Sequence, residues 1–434
     1  MTAQRRLSPF ETNYFSPSAK FGSVPTSGMP LFIGSTVHGR LDIEILRRVL
    51  DELAAAHPLL RSRVVTDADG TMSFHRDDRY RPRFDITEGD EVEYVNLVNT
   101  QQDWRDGLFR AHLLRGDDRD QLVLVIHHGI ADGRSAFALL AQLWRQYTAH
   151  AAGTPLPQPD SDQGLPEAID NQLATVVSDI EIDALLDEVR SATATMSPES
   201  APRALPKDGD GLGDDPLGRL ALQRIELDAE ETASFVGAAR AQGISVNSLL
   251  TAAAMIAFRS RLEGDAGPLP LFCGHAVDLR SEANLPVGTI LNCSSGAGTY
   301  ALVAEDSNPI DVGSAVAAAM QAATDRLEAA CFLLAGRRDL DEMTAAILAA
   351  APTLAISNIG RLPAHSMPDD IRNIRVDVYA MSPGMPPKLT AFTVGGRLTI
   401  QVEYDTALYS RTQMGKITLA LIEQIQRCAA VADE

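Results

Sequence analysis

The stretch that decides the fold is residues 121–150, QLVLVIHHGIADGRSAFALLAQLWRQYTAH. Its apolar run at 122–126 reads as a buried strand. Phe137, Leu140, Trp144 and Tyr147 follow at the spacing of one face of an amphipathic helix. Between strand and helix stand His127, His128, Asp132 and Gly133. Polar or minimal residues at the end of a core strand sit where a rigid scaffold presents reactive groups.

Outward from this junction the chain alternates strands and helices. LFIGSTVH at 31–38 reads as a strand, and Asp42 as the N-cap of a helix over 43–56 with an apolar stripe. That helix ends at His57-Pro58, because the residue before proline resists the helical region. Strands are expected as a hairpin, 60–65 with 72–75 around Asp69-Gly70, and as a pair, 109–114 with 121–126. A proline- and glycine-rich connection covers 153–164, and a helical stretch covers 166–194. After residue 219 the pattern starts afresh. Strands are expected near 220–227, 269–277, 354–359, 376–381, 388–394 and 397–404, with helices near 229–242, 246–262, 309–335, 343–350 and 411–429.

A chain of 434 residues is long for one core. The expected organisation is an N-terminal subdomain at 1–195, a linker at 196–218 and a C-terminal subdomain at 219–434. Strands and helices in both halves, with hairpins as well as crossovers, give an α/β (α+β) class.

Composition narrows the function. A net charge of −20 argues against nucleic acid as the main partner, since phosphate binding needs a basic footprint. There is no run of about 18 apolar residues, so no transmembrane segment is expected. The N-terminus lacks the apolar stretch of a signal peptide. The four cysteines (Cys273, Cys293, Cys331, Cys428) form no CxxC pair and read as reduced thiols of a cytoplasmic protein. Neither a Walker A motif, a GxGxxG nor a GxSxG is present.

One of two adjacent histidines at a strand end must face whatever the sheet end faces. A neutral imidazole there takes a proton from a hydroxyl or amine near neutral pH. Gly133 removes a Cβ and leaves room for a ligand. Asp132 admits two readings: a carboxylate that orients the imidazole, or a structural ion-pair partner. A metal site at His128 and Asp132 lacks a third ligand, so no metal is expected. The acidic, glycine-rich run at 209–215 lacks the closing glutamate of a calcium loop.

HHGIADG resembles the HHxxxDG motif of the condensation-domain and chloramphenicol-acetyltransferase-like acyltransferase superfamily. The likeness extends to Leu7-Ser8-Pro9, to His57-Pro58-Leu59-Leu60-Arg61, to Val277-Asp278-Leu279-Arg280 and to Ser357-Asn358-Ile359-Gly360. The last two, with RLSPFE, are most similar to polyketide-associated acyltransferases of the phthiocerol/phthiodiolone dimycocerosyl transferase type. The resemblance implies two chloramphenicol-acetyltransferase-like subdomains in a V, with an active-site channel between them. It implies a monomer in which His128 is the general base, His127 is structural, and Asp132 pairs with Arg280 to hold the site together. Ser294, Ser295, Ser357 and Asn358 are candidate oxyanion or substrate contacts.

The expected reaction moves an acyl group from a thioester to a hydroxyl of a polyketide-type or lipid alcohol, with no bound cofactor. The donor would be carried as phosphopantetheine or CoA thioester. The expected partners are an acyl carrier protein or polyketide synthase, which the arginines at 47–48, 61, 63, 79, 81, 83 and 337–338 would meet electrostatically. The alternatives are a free-standing condensation enzyme that makes an amide, and a non-catalytic carrier-binding scaffold.

Overall fold

The computed structural model describes residues 3–154, 156, 164–264 and 267–430. Most of the connection at 153–164 lies outside the described residues.

The junction strand, Arg119–His127, is buried along nearly its whole length because it lies in the middle of a five-stranded sheet. Its neighbours are Pro30–His38 on one side and Phe109–Arg115 on the other, both antiparallel. Strand Arg83–Glu88 extends the sheet in parallel beyond Phe109–Arg115. Helices Ile43–Ala56 and Gly133–Ala151 pack against each other on this sheet. Asp42 caps the first through its side chain, which accepts from the Glu44 and Ile45 amides.

The opposite edge of this sheet comes from far away in the chain. Strand Arg372–Tyr379 pairs antiparallel with Pro30–His38, placing Tyr379 opposite Phe32. The second half thereby completes the sheet of the first.

A second sheet of six strands runs in the order Leu220–Glu226, Arg397–Asp405, Lys388–Val394, Leu354–Leu362, Leu269–Asp278, Ser294–Val303. One face of it, with Leu271, Leu354, Ile356, Leu389 and Ile400, packs on helices that include Val246–Arg259 and Arg411–Ala430. The other face turns toward the first half. The architecture is therefore mixed α/β with two sheet-bearing halves, as expected.

Several elements differ from their sequence reading. The stretch at 166–194 is two helices, Ile169–Leu173 and Asp179–Thr195, because Ser178 and Glu181 form a reciprocal capping box that starts the second afresh. The pattern at 309–335 also breaks, into Pro309–Asp325 and Glu328–Ala335, at Leu327, whose φ is 53°. Strands Arg83–Glu88 and Ser294–Val303 and helix Glu91–Asn99 carry no expectation from the sequence.

The segment at 196–218 contains no helix or strand, yet it is held along the second half. The Arg203 amide donates to Pro270 O (2.8 Å), Asp208 accepts from the Ser410 amide (2.8 Å), and Arg411 clasps Asp215 at 2.9 Å.

Candidate active site

The strand Arg119–His127 gives way to a short turn at His128–Ile130, and then to helix Gly133–Ala151. This places the two histidines in different surroundings. His127 is 1 % exposed, stacked on Phe15 at 4.1 Å and met edge-on by Trp104. Its Nδ1 accepts from the Gly129 amide at 3.0 Å, which fixes the tautomer with the proton on Nε2. Burial first, and then the neighbouring His128, pull its pKa down to about 3.

His128 is held by its backbone, whose amide donates to Met29 O at 2.9 Å. Its ring lies on Tyr14, centroids 5.6 Å apart and planes 20° from parallel. The ring is enclosed by protein except where it opens on a cavity, and Nδ1 has no hydrogen-bond partner. Burial lowers its pKa to about 4. Its own backbone carbonyl and Asp132 oppose the shift, and Lys388 adds to it. The imidazole is therefore neutral at physiological pH, with a lone pair available.

That cavity has a volume of about 1010 Å³, at the top of the range of about 300–1,000 Å³ for small-molecule sites. Tyr14, Met29 and His128 line it from the first half, and Phe272, Ser294 and Ser357 from the second. Its walls are mostly apolar.

Asp132 faces elsewhere. As N-cap of its helix, it accepts from the Ser135 amide through Oδ1 at 2.8 Å, and through Oδ2 from the Cys293 amide at 2.8 Å. Arg280 closes on it with both terminal nitrogens, Nη1 to Oδ2 at 2.8 Å and Nη2 to Oδ1 at 3.0 Å. Each oxygen thus accepts one backbone amide and one guanidinium nitrogen, and none of these bonds involves His128. Arg280, 2 % exposed, also donates to Asp278, to Ser135 Oγ and to the carbonyls of Thr289 and Leu291. Asp132 and Ser135 belong to the first half and the rest to the second, so the pair rivets the halves beside the cavity.

Gly133 lines the cavity, but a Cβ there would come 3.0 Å from Ile359 Cδ1. The room it leaves is used by a side chain of the second half as well as by the cavity. Ser294, Ser295 and Ser357 line the same cavity. The Ser294 hydroxyl donates to Asn292 Oδ1 (2.8 Å) and that of Ser295 to Ala329 O (2.6 Å). Asn358 is not part of the wall, and its Oδ1 accepts from the Gly360 amide at 3.0 Å. Among the described residues, no group of three or more histidine, cysteine, aspartate or glutamate side chains could hold a metal ion. Nor is any single helix among them long and apolar enough to cross a membrane.

Of the nine arginines in these clusters, five meet carboxylates: Arg61 meets Asp78, Arg81 Asp51, Arg83 Asp85, Arg337 Asp170 and Arg338 Asp179. The sequence reading missed Lys388, Tyr379 and Thr390, which also line the cavity. Lys388 carried one signal, being one of only four lysines among 38 basic residues.

His127 and His275, both buried, give the protein a pH signature. Burial pulls His275 down to about 4 and His127 to about 3, against about 6.5 for a free histidine. Between those values the unfolded chain binds the extra protons, so stability rises with pH and is lost as pH falls from about 6.5 toward 4. The expected loss is on the order of 3 kcal/mol for each ring. Urea midpoints taken across that window should fall, and should fall less in His275→Gln. A flat profile in the wild type would contradict the assignment.

The chain is similar to known proteins along most of its length. Residues 32–165 match the family model for the condensation domain, and residues 216–403 match that for the phthiocerol/phthiodiolone dimycocerosyl transferase C-terminus. The phthiocerol/phthiodiolone dimycocerosyl transferase of Mycobacterium ulcerans is 26% identical over 353 residues, covering 77% of this chain and 78% of its own. Two solved structures share the fold. Polyketide synthase associated protein 5 from Mycobacterium tuberculosis aligns with a TM-score of 0.67 at 17% identity, over 96% of this chain and 97% of its own. Trichothecene 15-O-acetyltransferase from Fusarium sporotrichioides aligns with a TM-score of 0.73 at 12% identity, over 98% and 95%. The first half of this chain is thus similar to condensation domains and the second to the dimycocerosyl transferase C-terminus, the fold is shared with both solved structures, and the chain is an acyltransferase.

Proposed function

We propose that this acyltransferase moves an acyl group from a thioester to a hydroxyl of a polyketide-type or lipid alcohol, forming an ester. The observation that carries the reading is the His128 ring, neutral and opening on a large, mostly apolar cavity between the halves. His128 takes the proton of the acceptor hydroxyl as its oxygen attacks the thioester carbonyl. The tetrahedral intermediate collapses, the carbon–sulfur bond breaks, and the thiol leaves with the proton that His128 returns.

Asp132 acts through Arg280 as a structural anchor, since its four hydrogen bonds leave it nothing to offer the imidazole. Ser294 and Ser357 share the cavity wall with His128 and are the candidate donors to the oxyanion. The donor arrives as a phosphopantetheine or CoA thioester, with an acyl carrier protein or polyketide synthase as its source. Residues 1–195 and 219–434 supply most of the two walls, and Met196, Ser200 and Pro202 from the segment between them line the cavity as well.

The test offers the purified protein a decanoyl thioester with decanol in one arm and decylamine in the other. Ester formation with the alcohol is the expected result. Amide as the sole product would replace this reading with a condensation activity, and no product in either arm would overturn it.

A further inference from the structure

One part of the cavity wall is polar, and its hydrogen bonding is incomplete. Strands Lys388–Val394 and Arg397–Asp405 run antiparallel with Lys388 opposite Glu403 and Thr390 opposite Gln401. Leu389, Ala391, Ile400 and Val402 alternate with these four and fill the core of the second half. The period-two pleat therefore turns Lys388, Thr390, Gln401 and Glu403 to the opposite face, toward the first half. Tyr379 arrives there at the end of its strand, and Tyr379, Lys388 and Thr390 line the cavity.

The Lys388 ammonium donates to Ala380 O at 2.7 Å and lies 3.0 Å from Glu403 Oε2. Gln401 Oε1 accepts from the Val378 amide at 3.1 Å. The buried Tyr379 hydroxyl and Gln401 Nε2 have no hydrogen-bond partner, and the Thr390 hydroxyl and the Glu403 carboxylate have little beyond each other and Lys388. Tyr379, Thr390 and Glu403 are 1 %, 4 % and 0 % exposed.

Buried polar groups in native proteins are bonded in the great majority of cases, so several orphans gathered at one wall need an explanation. They lower stability unless something else uses them. Burial raises the Tyr379 hydroxyl well above its usual range, helped by the nearby Glu403, so it stays a neutral donor. The charges of Lys388 and Glu403 balance, which disfavours an anion and suits a neutral group that accepts and donates hydrogen bonds.

We propose that Tyr379, Thr390 and Lys388, backed by Gln401 and Glu403, form a second subsite of the cavity. It holds a neutral hydrogen-bonding group of a substrate, a hydroxyl, carbonyl or amide, apart from the atoms that react. The proposal rests on the acyl-transfer reading of the same cavity. The group belongs either to the acceptor, as a second oxygen function, or to the donor, as an amide of its thiol arm.

Tyr379→Phe tests it cleanly, because it removes only a hydroxyl group with no partner inside the protein, and Thr390→Val removes a hydroxyl shared with Glu403 alone. Acceptor preference is read as kcat/KM for decanol against linear decanediols whose second hydroxyl is placed progressively farther from the first. Donor preference is read with decanoyl-N-acetylcysteamine against S-ethyl decanethioate, which lacks the amide. The wild type should favour the oxygenated or amide-bearing member of one pair about tenfold, the worth of one good hydrogen bond. Both variants should lose that preference, and Tyr379→Phe should melt no lower than the wild type. The pair that shows the effect identifies the source of the group.

Three results would overturn the proposal: no preference in the wild type, a preference that survives both substitutions, or a Tyr379→Phe variant that melts clearly lower. The last would mean that internal hydrogen bonds or ordered water already use this oxygen. If decanol is not acylated at all, the acyl-transfer reading fails separately. Calorimetric binding of the same alcohols to wild type and Tyr379→Phe then still decides the subsite.

Discussion

Arg280→Ala is expected to cost about 3–5 kcal/mol of stability, the toll of leaving one member of a buried ion pair alone. The guanidinium gives Asp132 two hydrogen bonds and joins it to Ser135 Oγ and the carbonyls of Thr289 and Leu291. Without it, the carboxylate keeps only the amides of Ser135 and Cys293. Native proteins hold only about 5–15 kcal/mol in reserve, so the loss should show as a marked drop in melting temperature and soluble yield. Activity should fall with stability, because the same contacts fix the relation of the two halves at the cavity. Asp132→Asn, which keeps the shape and one acceptor oxygen, should be milder. Arg280→Ala with an unchanged denaturation midpoint would refute the structural role.

His128→Ala is expected to reverse that pattern, with turnover reduced by roughly 10²–10⁴-fold, the usual worth of a positioned general base. Stability should change far less than activity, because the ring borders an open cavity and is held mainly by stacking on Tyr14. His127→Ala makes the contrast. It removes a ring packed between Phe15 and Trp104 and bonded to the Gly129 amide, so its melting temperature should fall as well. In the wild type the base is neutral above its pKa of about 4, so activity should hold as pH falls and drop only near that value. A folded His128→Ala protein with undiminished turnover would end the general-base assignment.

The sequence made the junction strand, its helix and the capped helix Ile43–Ala56 legible because hydrophobic periodicity and capping are local signals. Ser294–Val303 was not legible. SSGAGTYALV has no apolar alternation at its start, and it is a strand because Leu269–Asp278 lies beside it. The break at Leu327 was hidden because no glycine or proline marks it. At the site, the strand-end position of HHGIADG singled out His128, and the family resemblance of its motif and of the arginine motif pointed to His128 and Arg280 in their roles. Tyr379, Lys388 and Glu403 could not be found that way, since they meet only when three strands from two sheets come together.

The edge strand Arg372–Tyr379 bears on how the protein is made. Phe32 waits for Tyr379, more than three hundred residues downstream, before its side of the first sheet is paired. At ribosomal rates of about 5–20 residues per second, that edge stays open for tens of seconds after its own strand has emerged. An unpaired edge beside a buried strand is a template for wrong pairing. Glycine at position 34, where a Cβ would come 2.4 Å from Leu122 O, shows how closely the waiting strand is already packed on its other side. Completion of the first half is thus a late event of synthesis, and a chain truncated before residue 372 would carry the whole histidine motif on a sheet that has never closed.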